Sequence, residues 1–245
     1  MSADGRRPYL SLVLACYNEA QHLESSFAEI RDTLAQTKWP YEVIFVDDLS
    51  RDRTREILGS LVAAHPGLDL RVILHEGNRG RGATVTDGFR AARGEIAGYL
   101  DIDLEVHCRY VPSLVRAIED GADIATVRRI YAFQVRALDR YVMSRGYSFL
   151  VRRLLRLPFR DTETGYKFFR RERVLPLLDA IEDGGWFWDT EFMARAHRRG
   201  LRVVEIPGAY VRREDKVSTV RGLRDSARYF ARLLCLRRRL LGSRP

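Results

Sequence analysis

The sequence predicts an α/β fold in which a mainly parallel sheet is covered by helices on both faces. In the first hundred residues, short apolar runs alternate with longer helical patterns, as in consecutive βαβ units. No repeat, low-complexity tract or Pro/Ser-rich linker divides the 245 residues. We therefore expect one domain over residues 1–218, followed by an amphipathic, basic helix over residues 219–245.

Each expected element rests on the local spacing of apolar residues. Near-continuous apolar runs are typical of strands buried on both faces. They predict strands at Leu10–Ala15, Tyr41–Val46, Leu70–Leu74 and Ile96–Leu100. Helical spacing predicts helices at Glu19–Thr37, Arg53–Ala64 (opened by Asp52 as its N-cap) and Ala83–Ala92. The second half predicts strands within Gly121–Val127, Tyr166–Phe169 and Arg202–Ile206, and helices over Phe133–Leu157, Asp189–Arg199 and Thr219–Leu241.

The charge balance narrows the ligand classes. Lys and Arg together number 42 against 33 Asp and Glu, which gives a net charge of +9. The arginines crowd into the second half, which indicates a phosphate-rich ligand, an anionic membrane surface or nucleic acid. No helix-turn-helix, RRM or zinc-finger pattern accompanies them, so we expect no nucleic acid partner. The three cysteines lack metal-ligand spacing, and their odd number argues against a disulfide framework.

Hydropathy indicates where the protein acts. The longest apolar stretches are far shorter than the ~20 residues that cross a bilayer. The first seven residues are polar, and no signal peptide is visible. We therefore expect a cytoplasmic protein that reaches a membrane only peripherally.

The acidic residues after the fourth predicted strand are the sharpest chemical signal. Alternation along an extended chain points Asp101 and Asp103 to the same side, and Glu105 continues that face. Ligands of such sheets bind at the carboxyl ends of strands. Paired hard oxygen donors there suit Mg²⁺ or Mn²⁺ bridged to a diphosphate. The sequence thus predicts a metal site at Asp101, Asp103 and Glu105; an acidic surface loop is the alternative.

Two further segments follow predicted strands or begin a predicted helix. Asp48, which follows Asp47 at the end of the second strand, is placed to accept hydrogen bonds from a nucleobase or ribose. The turn Asn78–Gly82 is basic and glycine-containing, and its backbone N–H groups would suit a phosphate. A simple loop-to-helix junction explains that turn equally well.

Together these motifs resemble family 2 glycosyltransferases of the GT-A fold, and most of all the branch containing dolichol-phosphate mannose synthase and other polyprenyl-phosphate glycosyltransferases. The motifs are Cys16-Tyr17-Asn18-Glu19, Val46-Asp47-Asp48-Leu49-Ser50, Asn78-Arg79-Gly80-Arg81-Gly82 and Asp101-Ile102-Asp103-Leu104-Glu105. The resemblance implies that Tyr17, Glu19, Val46, Asp48, Asp101 and Asp103 hold the nucleotide. It also implies that Asp101, Asp103 and Glu105 hold the metal and the diphosphate.

The resemblance extends into the second half. Arg128, Arg140 and Ser144 are similar to positions that cradle a lipid phosphate in that branch, as are Arg213 and Lys216 in a flexible acceptor loop. Arg140 and Ser144 are one helical turn apart, as a phosphate clamp requires. Residues 161–168 resemble the family's D..TG.K.F signature. Three departures stand out: Ala15 replaces a proline, Leu49 replaces a glycine, and the acceptor loop is shorter and lacks the usual serine.

The resemblance implies transfer of one sugar, with inversion, from a UDP- or GDP-linked donor, with Asp101 and Asp103 as catalytic metal ligands. A polyprenyl phosphate acceptor is already anionic and needs no base, and the arginine-rich second half favours it. A hydroxyl acceptor would need a carboxylate base, for which Asp189 or Glu191 is the candidate. A catalytically silent nucleotide-binding scaffold is the remaining alternative. A pyrophosphorylase is disfavoured, because the first strand leads into Cys16–Glu19 instead of a glycine-rich phosphate loop.

Overall fold

A computed structural model describes residues 7–131, 138–211 and 222–242, and within helices α5 and α8, defined below, it describes side chains only from residues 146 and 229 onward. The strands are β1 (Leu10–Cys16), β2 (Tyr41–Asp47), β3 (Asp69–Leu74), β4 (Ile96–Leu100), β5 (Ile124–Tyr131), β6 (Tyr166–Arg170) and β7 (Val203–Tyr210). The helices are α1 (Leu23–Ala35), α2 (Thr54–Ala64), α3 (Arg81–Ala91), α4 (Val111–Glu119), α5 (Leu138–Leu155), α6 (Arg171–Leu178), α7 (Trp188–Arg198) and α8 (Gly222–Gly242). A short 3₁₀ helix, Cys108–Tyr110, precedes α4.

The strands form a seven-stranded sheet in the order β3-β2-β1-β4-β6-β5-β7. Strand β6 is antiparallel to β4 and β5, and every other pair is parallel. Strand β1 lies between β2 and β4, so the chain reverses its direction of strand addition there. In parallel sheets a crevice opens at the carboxyl ends of strands at such a reversal. The predicted mainly parallel sheet is confirmed.

Both faces of the sheet are covered by apolar side chains. Leu12 of β1 packs into one core with Phe27 of α1, and α2 and α4 cover the same face. The next residue, Val13, points to the other face, which α3, α6 and α7 cover through side chains such as Phe89 and Trp188. This alternation follows from the two-residue repeat of a strand. The expected helical layers on both faces are therefore confirmed.

Differences from the sequence expectations have local causes. Helix α1 begins at Leu23 instead of Glu19, because Asn18 adopts a left-handed φ of 57° and the Glu19 N–H donates to Thr54 Oγ1. Helices α4 and α6 were not predicted. Both are short, and α6 contains Pro176 in its interior, which is a helix-breaking signal in a sequence.

The C-terminal helix α8 packs against the rest of the chain. Leu233, Leu236 and Leu240 are buried in the same core as α7. Arg232 pairs with Asp183 at 2.6 Å, on the loop that precedes α7. Within the described ranges, no helix has the length and apolar character needed to cross a membrane.

Candidate active site

The loops after β1 and β2 are hydrogen-bonded to each other at the carboxyl end of the sheet. The Asn18 N–H donates to Ser50 Oγ at 2.9 Å, and Asn18 Oδ1 accepts from the Arg51 N–H at 2.8 Å. Tyr17 is 42% exposed at this edge, whereas Glu19 is buried. The predicted nucleotide residues of the first motif therefore lie on a well-braced loop with one aromatic ring facing solvent.

Asp48 organises the glycine-containing turn. Its Oδ1 accepts from the Arg79 N–H at 2.7 Å, and its Oδ2 accepts from the Gly80 N–H at 2.8 Å. Gly80 has a φ of 89°, and a Cβ there would lie 2.6 Å from the Gly184 carbonyl oxygen, so only glycine fits. Val46, also predicted at the nucleotide, is fully buried in the core. The contacts of Asp48 support the turn, and its direct contact with a nucleotide stays a prediction.

The acidic motif after β4 forms a tight turn. The Leu104 N–H donates to the Asp101 carbonyl at 3.1 Å, and Leu104 adopts a φ of 52°. The Glu105 N–H donates to Asp103 Oδ1 at 3.2 Å, and Glu105 Oε2 accepts from Tyr210 Oη at 2.6 Å. Burial raises the pKa of Asp101. The nearby charge of Asp103 raises this pKa further, whereas Arg81 lowers it. The motif thus concentrates negative charge at the end of the central strands.

Arg81 joins this motif to α7, and sequence reasoning did not single it out by itself. Its Nη2 lies 2.7 Å from Asp101 Oδ1, and its Nη1 lies 2.6 Å from Asp189 Oδ2. Its guanidinium also lies over the rings of Tyr99 and Trp186, at 5.3 and 5.2 Å from their centroids. These carboxylates keep the pKa of Arg81 well above its ordinary value despite burial. The signal in the sequence was an arginine at the first position of the helix after the glycine turn.

Asp189 is the centre of a buried charge cluster. It is 2% exposed, and its Oδ1 accepts from Lys167 Nζ at 2.5 Å and from Tyr99 Oη. Burial lowers the pKa of Lys167, and the neighbouring Asp189 opposes that change. With Arg81 on its other oxygen, Asp189 is bonded on both sides. The sequence indicated Lys167 only as part of the D..TG.K.F signature. Its salt bridge with Asp189 joins positions 22 residues apart, which no local pattern reveals.

The structure gives two residues of the D..TG.K.F segment, Asp161 and Gly165, specific contacts. Asp161 binds Arg129 through two hydrogen bonds of 2.7 and 2.9 Å, a fork geometry that suits guanidinium and carboxylate. The Gly165 carbonyl accepts from the Asp101 N–H at 3.1 Å, and a Cβ on Gly165 would collide with the Asp101 carboxylate. Arg128, predicted at the acceptor phosphate, is half-buried on β5 and forms no ion pair with another described residue.

The remaining predicted acceptor residues lie outside what is described. Arg140 and Ser144 belong to α5, but their side chains fall outside the described ones. Arg213 and Lys216 lie outside the described residues altogether. Their assignment to a lipid phosphate stays a prediction.

The acidic motif offers the donor set that a hard divalent cation prefers. Asp101, Asp103 and Glu105 provide carboxylate oxygens, and the charge of Asp103 acts on Asp101. A second cluster, Glu29, His107 and Cys108, has ligand atoms within 4.8 Å of one another. Its thiol is a soft ligand and its imidazole a borderline one, and the pair suits Zn²⁺ better than Mg²⁺ or Mn²⁺. The acidic motif therefore has the donor chemistry of the predicted cation, but among the described residues its three carboxylates do not all come within 4.8 Å of one another.

Residues 11–175 match the domain described as Glycosyl transferase family 2. The chain belongs to this glycosyltransferase family. It is 38% identical to glycosyltransferase AglD of Haloferax volcanii, over 87% of this chain and 35% of AglD. It is 25% identical to the dolichyl-phosphate β-glucosyltransferase of Dictyostelium discoideum, over 81% of this chain and 65% of that protein. The chain thus spans about a third of the length of one relative and about two thirds of the other.

This family 2 chain also resembles solved structures. It is similar to glucosyl-3-phosphoglycerate synthase of Mycobacterium tuberculosis, solved in complex with Mn²⁺, UDP and glucosyl-3-phosphoglycerate. The TM-score is 0.67 at 19% identity, over 97% of this chain and 81% of that one. At such identity the likeness establishes the fold. The GT-A fold implied by the sequence motifs is therefore confirmed.

Proposed function

We propose that the chain transfers one sugar, with inversion at the anomeric carbon, from a UDP- or GDP-linked donor to a polyprenyl phosphate. The main support for a phosphate acceptor comes from the hydrogen bonds of Asp189. Both its oxygens are bonded, to Arg81 on one side and to Lys167 and Tyr99 on the other. A carboxylate held in this way is poorly placed to take a proton. A phosphate nucleophile needs no proton removed, because it is anionic at neutral pH.

The similarity to dolichyl-phosphate β-glucosyltransferases supports the same acceptor class. The basic second half is a further support, since a lipid phosphate must be held against the negative charge of the donor diphosphate. Arg128 on β5, with Arg140, Ser144, Arg213 and Lys216, is proposed to supply these contacts. The arginines of this half are thus proposed to bind the acceptor phosphate.

Asp101, Asp103 and Glu105 are proposed to hold Mg²⁺ or Mn²⁺. When bound, the cation neutralises charge that develops on the departing nucleoside diphosphate. Arg81 places a fixed guanidinium beside Asp101, so the chain itself contributes a second positive group at that point. Tyr17, Glu19 and Asp48 are proposed to bind the nucleoside at the ends of β1 and β2.

A hydroxyl acceptor with Asp189 as the base is the competing reading. It would require Asp189 to give up a hydrogen bond with Lys167 or Arg81 before accepting a proton. Both carboxylate oxygens are already engaged by these donors, so neither is free to face an acceptor hydroxyl. The charge cluster therefore favours the phosphate acceptor.

The chain is proposed to act at the cytoplasmic face of a membrane, without a spanning helix of its own in the described ranges. Phe230 and Leu241 of α8 are exposed, as are Phe149 and Leu150 of α5. Exposed arginines such as Arg238 accompany them. Apolar side chains flanked by arginines are suited to an anionic lipid surface.

The experiment is a transfer assay with matched acceptors. Radiolabelled UDP- and GDP-sugars are incubated with a polyprenyl phosphate or with the polyprenol of the same length, with Mg²⁺ or with EDTA. We expect label in lipid only with the phosphate, and none in EDTA. Transfer to the polyprenol supports the hydroxyl reading instead. Nucleotide binding without transfer to any acceptor in the panel supports the scaffold reading.

A further inference from the structure

Trp186 is the exposed member of an aromatic segment that leads into α7. The next two residues, Phe187 and Trp188, are buried, and the Trp188 indole N–H donates to Thr86 Oγ1 at 2.9 Å. Trp186 is 54% exposed, and among the described residues nothing accepts a hydrogen bond from its indole N–H. The core therefore uses Trp188 and leaves much of the Trp186 ring in contact with solvent.

The loop before α7 is held in place on three sides. The Gly184 carbonyl accepts from the Ala83 N–H, in the first turn of α3, at 3.0 Å. The Asp183 N–H donates to Glu191 Oε2 of α7 at 3.0 Å, and the Asp183 carboxylate pairs with Arg232 of α8 at 2.6 Å. The loop therefore presents its exposed indole ring at a defined position.

The Trp186 ring lies beside the charge cluster of the candidate site. Its centroid is 5.2 Å from the guanidinium carbon of Arg81, whose Nη2 lies 2.7 Å from Asp101 Oδ1. The Arg81 side chain is only 11% exposed, so the more exposed indole ring lies on its solvent side. Asp101 is partly exposed and is proposed to hold the cation of the donor diphosphate. One side chain, that of Arg81, thus separates the indole ring from this carboxylate.

The sugar of a nucleotide donor would lie next to that diphosphate, because it is joined directly to the second phosphate. One face of a hexopyranose presents C–H groups, which are apolar and weakly positive. The face of an indole ring carries the negative part of its quadrupole and attracts such groups. Packing the two faces together also removes both from water. The charged side chains of the cluster do not supply this contact, since they bind phosphate or hydroxyl oxygens.

We propose that Trp186 is a binding residue for the donor sugar, and that the C–H face of a hexose packs against its ring. This inference rests on the proposed function, because its ligand is the sugar of a nucleotide-linked donor. The contact is made by the sugar and not by the nucleoside diphosphate. Trp186 therefore contributes to the affinity for the sugar nucleotide and leaves the affinity for UDP or GDP unchanged.

The first test compares the binding of a sugar nucleotide with that of its nucleoside diphosphate. UDP-glucose and UDP, and GDP-mannose and GDP, are titrated by calorimetry into the full chain with Mg²⁺ and without acceptor. For the pair that the wild-type chain binds, we expect Trp186→Ala to weaken the sugar nucleotide about tenfold and the nucleoside diphosphate less than about twofold. Trp186→Phe keeps an aromatic face and should stay within about threefold of wild type for both ligands.

The second test uses the fluorescence of the three tryptophans in the chain. A sugar nucleotide and its nucleoside diphosphate carry the same base, so the difference between their effects on emission reports on the sugar. We expect such a difference in the wild-type chain and its loss in Trp186→Phe. The matched control is Trp39→Phe, at an indole that packs against Tyr9 with ring centroids 6.0 Å apart. This control should retain the difference.

The outcomes separate this inference from the proposed function. Equal losses of sugar nucleotide and nucleoside diphosphate affinity in Trp186→Ala would show that the ring only covers Arg81, and would overturn the inference. Unchanged donor binding would also overturn it, whether the variant then shows a raised KM for the acceptor, weaker binding to anionic vesicles or no effect. The proposed function survives each of these results. Failure of the wild-type chain to bind any of the four nucleotides contradicts the proposed function, and the role of Trp186 falls with it.

Discussion

Asp189 and Asp103 are both acidic residues whose charges act on Asp101, yet their surroundings give them different chemistry. Asp189 is bonded to two buried cations, Arg81 and Lys167. Asp103 lies in a turn with Glu105 and acts electrostatically on Asp101. A carboxylate paired with fixed cations supports structure, whereas clustered carboxylates attract a divalent ion. This contrast leads to the first prediction.

Asp103→Asn is expected to reduce sugar transfer by about a hundredfold or more, because a weakened cation site loses positive charge that stabilises the departing diphosphate. Thermal unfolding should change little, since a carboxylate among like charges does not support the core. Transfer rate and unfolding temperature are measured together. The control is Asp32→Asn on the exposed part of α1. Unchanged transfer by Asp103→Asn would remove this residue from the cation site.

Glu163 makes stability depend on pH. Burial raises its pKa to about 7, Asp161 and Asp189 add to the effect, and Arg129 partly offsets it. Because the folded state binds this proton more tightly than the unfolded state, stability falls as the pH rises from about 4.5 to 7 and stays reduced above that range.

Glu163→Gln is expected to raise the free energy of unfolding at pH 8 relative to wild type, and to leave it nearly unchanged at pH 4.5. Glutamine mimics the protonated acid, so only the penalty of ionisation is removed. Urea denaturation at both pH values measures the difference. Glu24→Gln, at an exposed position of α1, should show no such difference between pH values. A Glu163→Gln variant that is less stable than wild type at pH 8 would refute this assignment.

The spacing of apolar residues predicted that helix α8 exists, but it did not predict what the helix contacts. The spacing of its leucines predicted an amphipathic helix, and the structure begins it at Gly222 and ends it at Gly242. A periodic apolar face fits a membrane or a protein core equally well. The structure buries Leu233, Leu236 and Leu240 in the core and leaves Phe230 exposed. The helix is thus part of the folded chain.

Leu236→Ala is expected to destabilise the chain by about 2–5 kcal/mol, the usual cost of a cavity at a buried leucine. Leu241→Ala, at a position 64% exposed, should change the free energy of unfolding by less than about 0.5 kcal/mol. Chemical denaturation of both variants provides the comparison. Equal effects of the two substitutions would show that α8 does not pack as described.

The same distinction explains how much of the fold the sequence could predict. Strands were well placed because apolar runs reflect burial on both faces, and β4 was predicted with the bounds Ile96–Leu100 that the structure has. Helix α4 was not predicted although its apolar residues have helical spacing, because it is only nine residues long. Pairing between distant residues was also beyond sequence reasoning. Arg81 and Asp189 are 108 positions apart, so no local pattern joins them.

The whole molecule combines a cluster of charged side chains around Arg81 and Asp189 with an exposed apolar and basic surface on α8. Arginines near an anionic surface each contribute about 1 kcal/mol, which salt weakens. We expect the chain to sediment with vesicles containing anionic lipid at low salt and to be released at high salt. The double variant Phe230→Ser, Leu241→Ser should bind more weakly, whereas Leu74→Ser, an exposed position of β3, should bind like wild type. Equal binding by all three proteins would place the membrane contact elsewhere.

The acceptor can be observed directly by ³¹P NMR of a polyprenyl phosphate incubated with the chain, Mg²⁺ and the donor that supports transfer. A sugar joined to the phosphate oxygen converts a phosphomonoester into a phosphodiester, whose signal no longer moves between pH 5 and 8. We predict that the monoester signal disappears as the diester and the nucleoside diphosphate form in equal amounts. A monoester signal that persists while the nucleoside diphosphate is released and a hydroxyl compound gains the sugar would contradict transfer to phosphate.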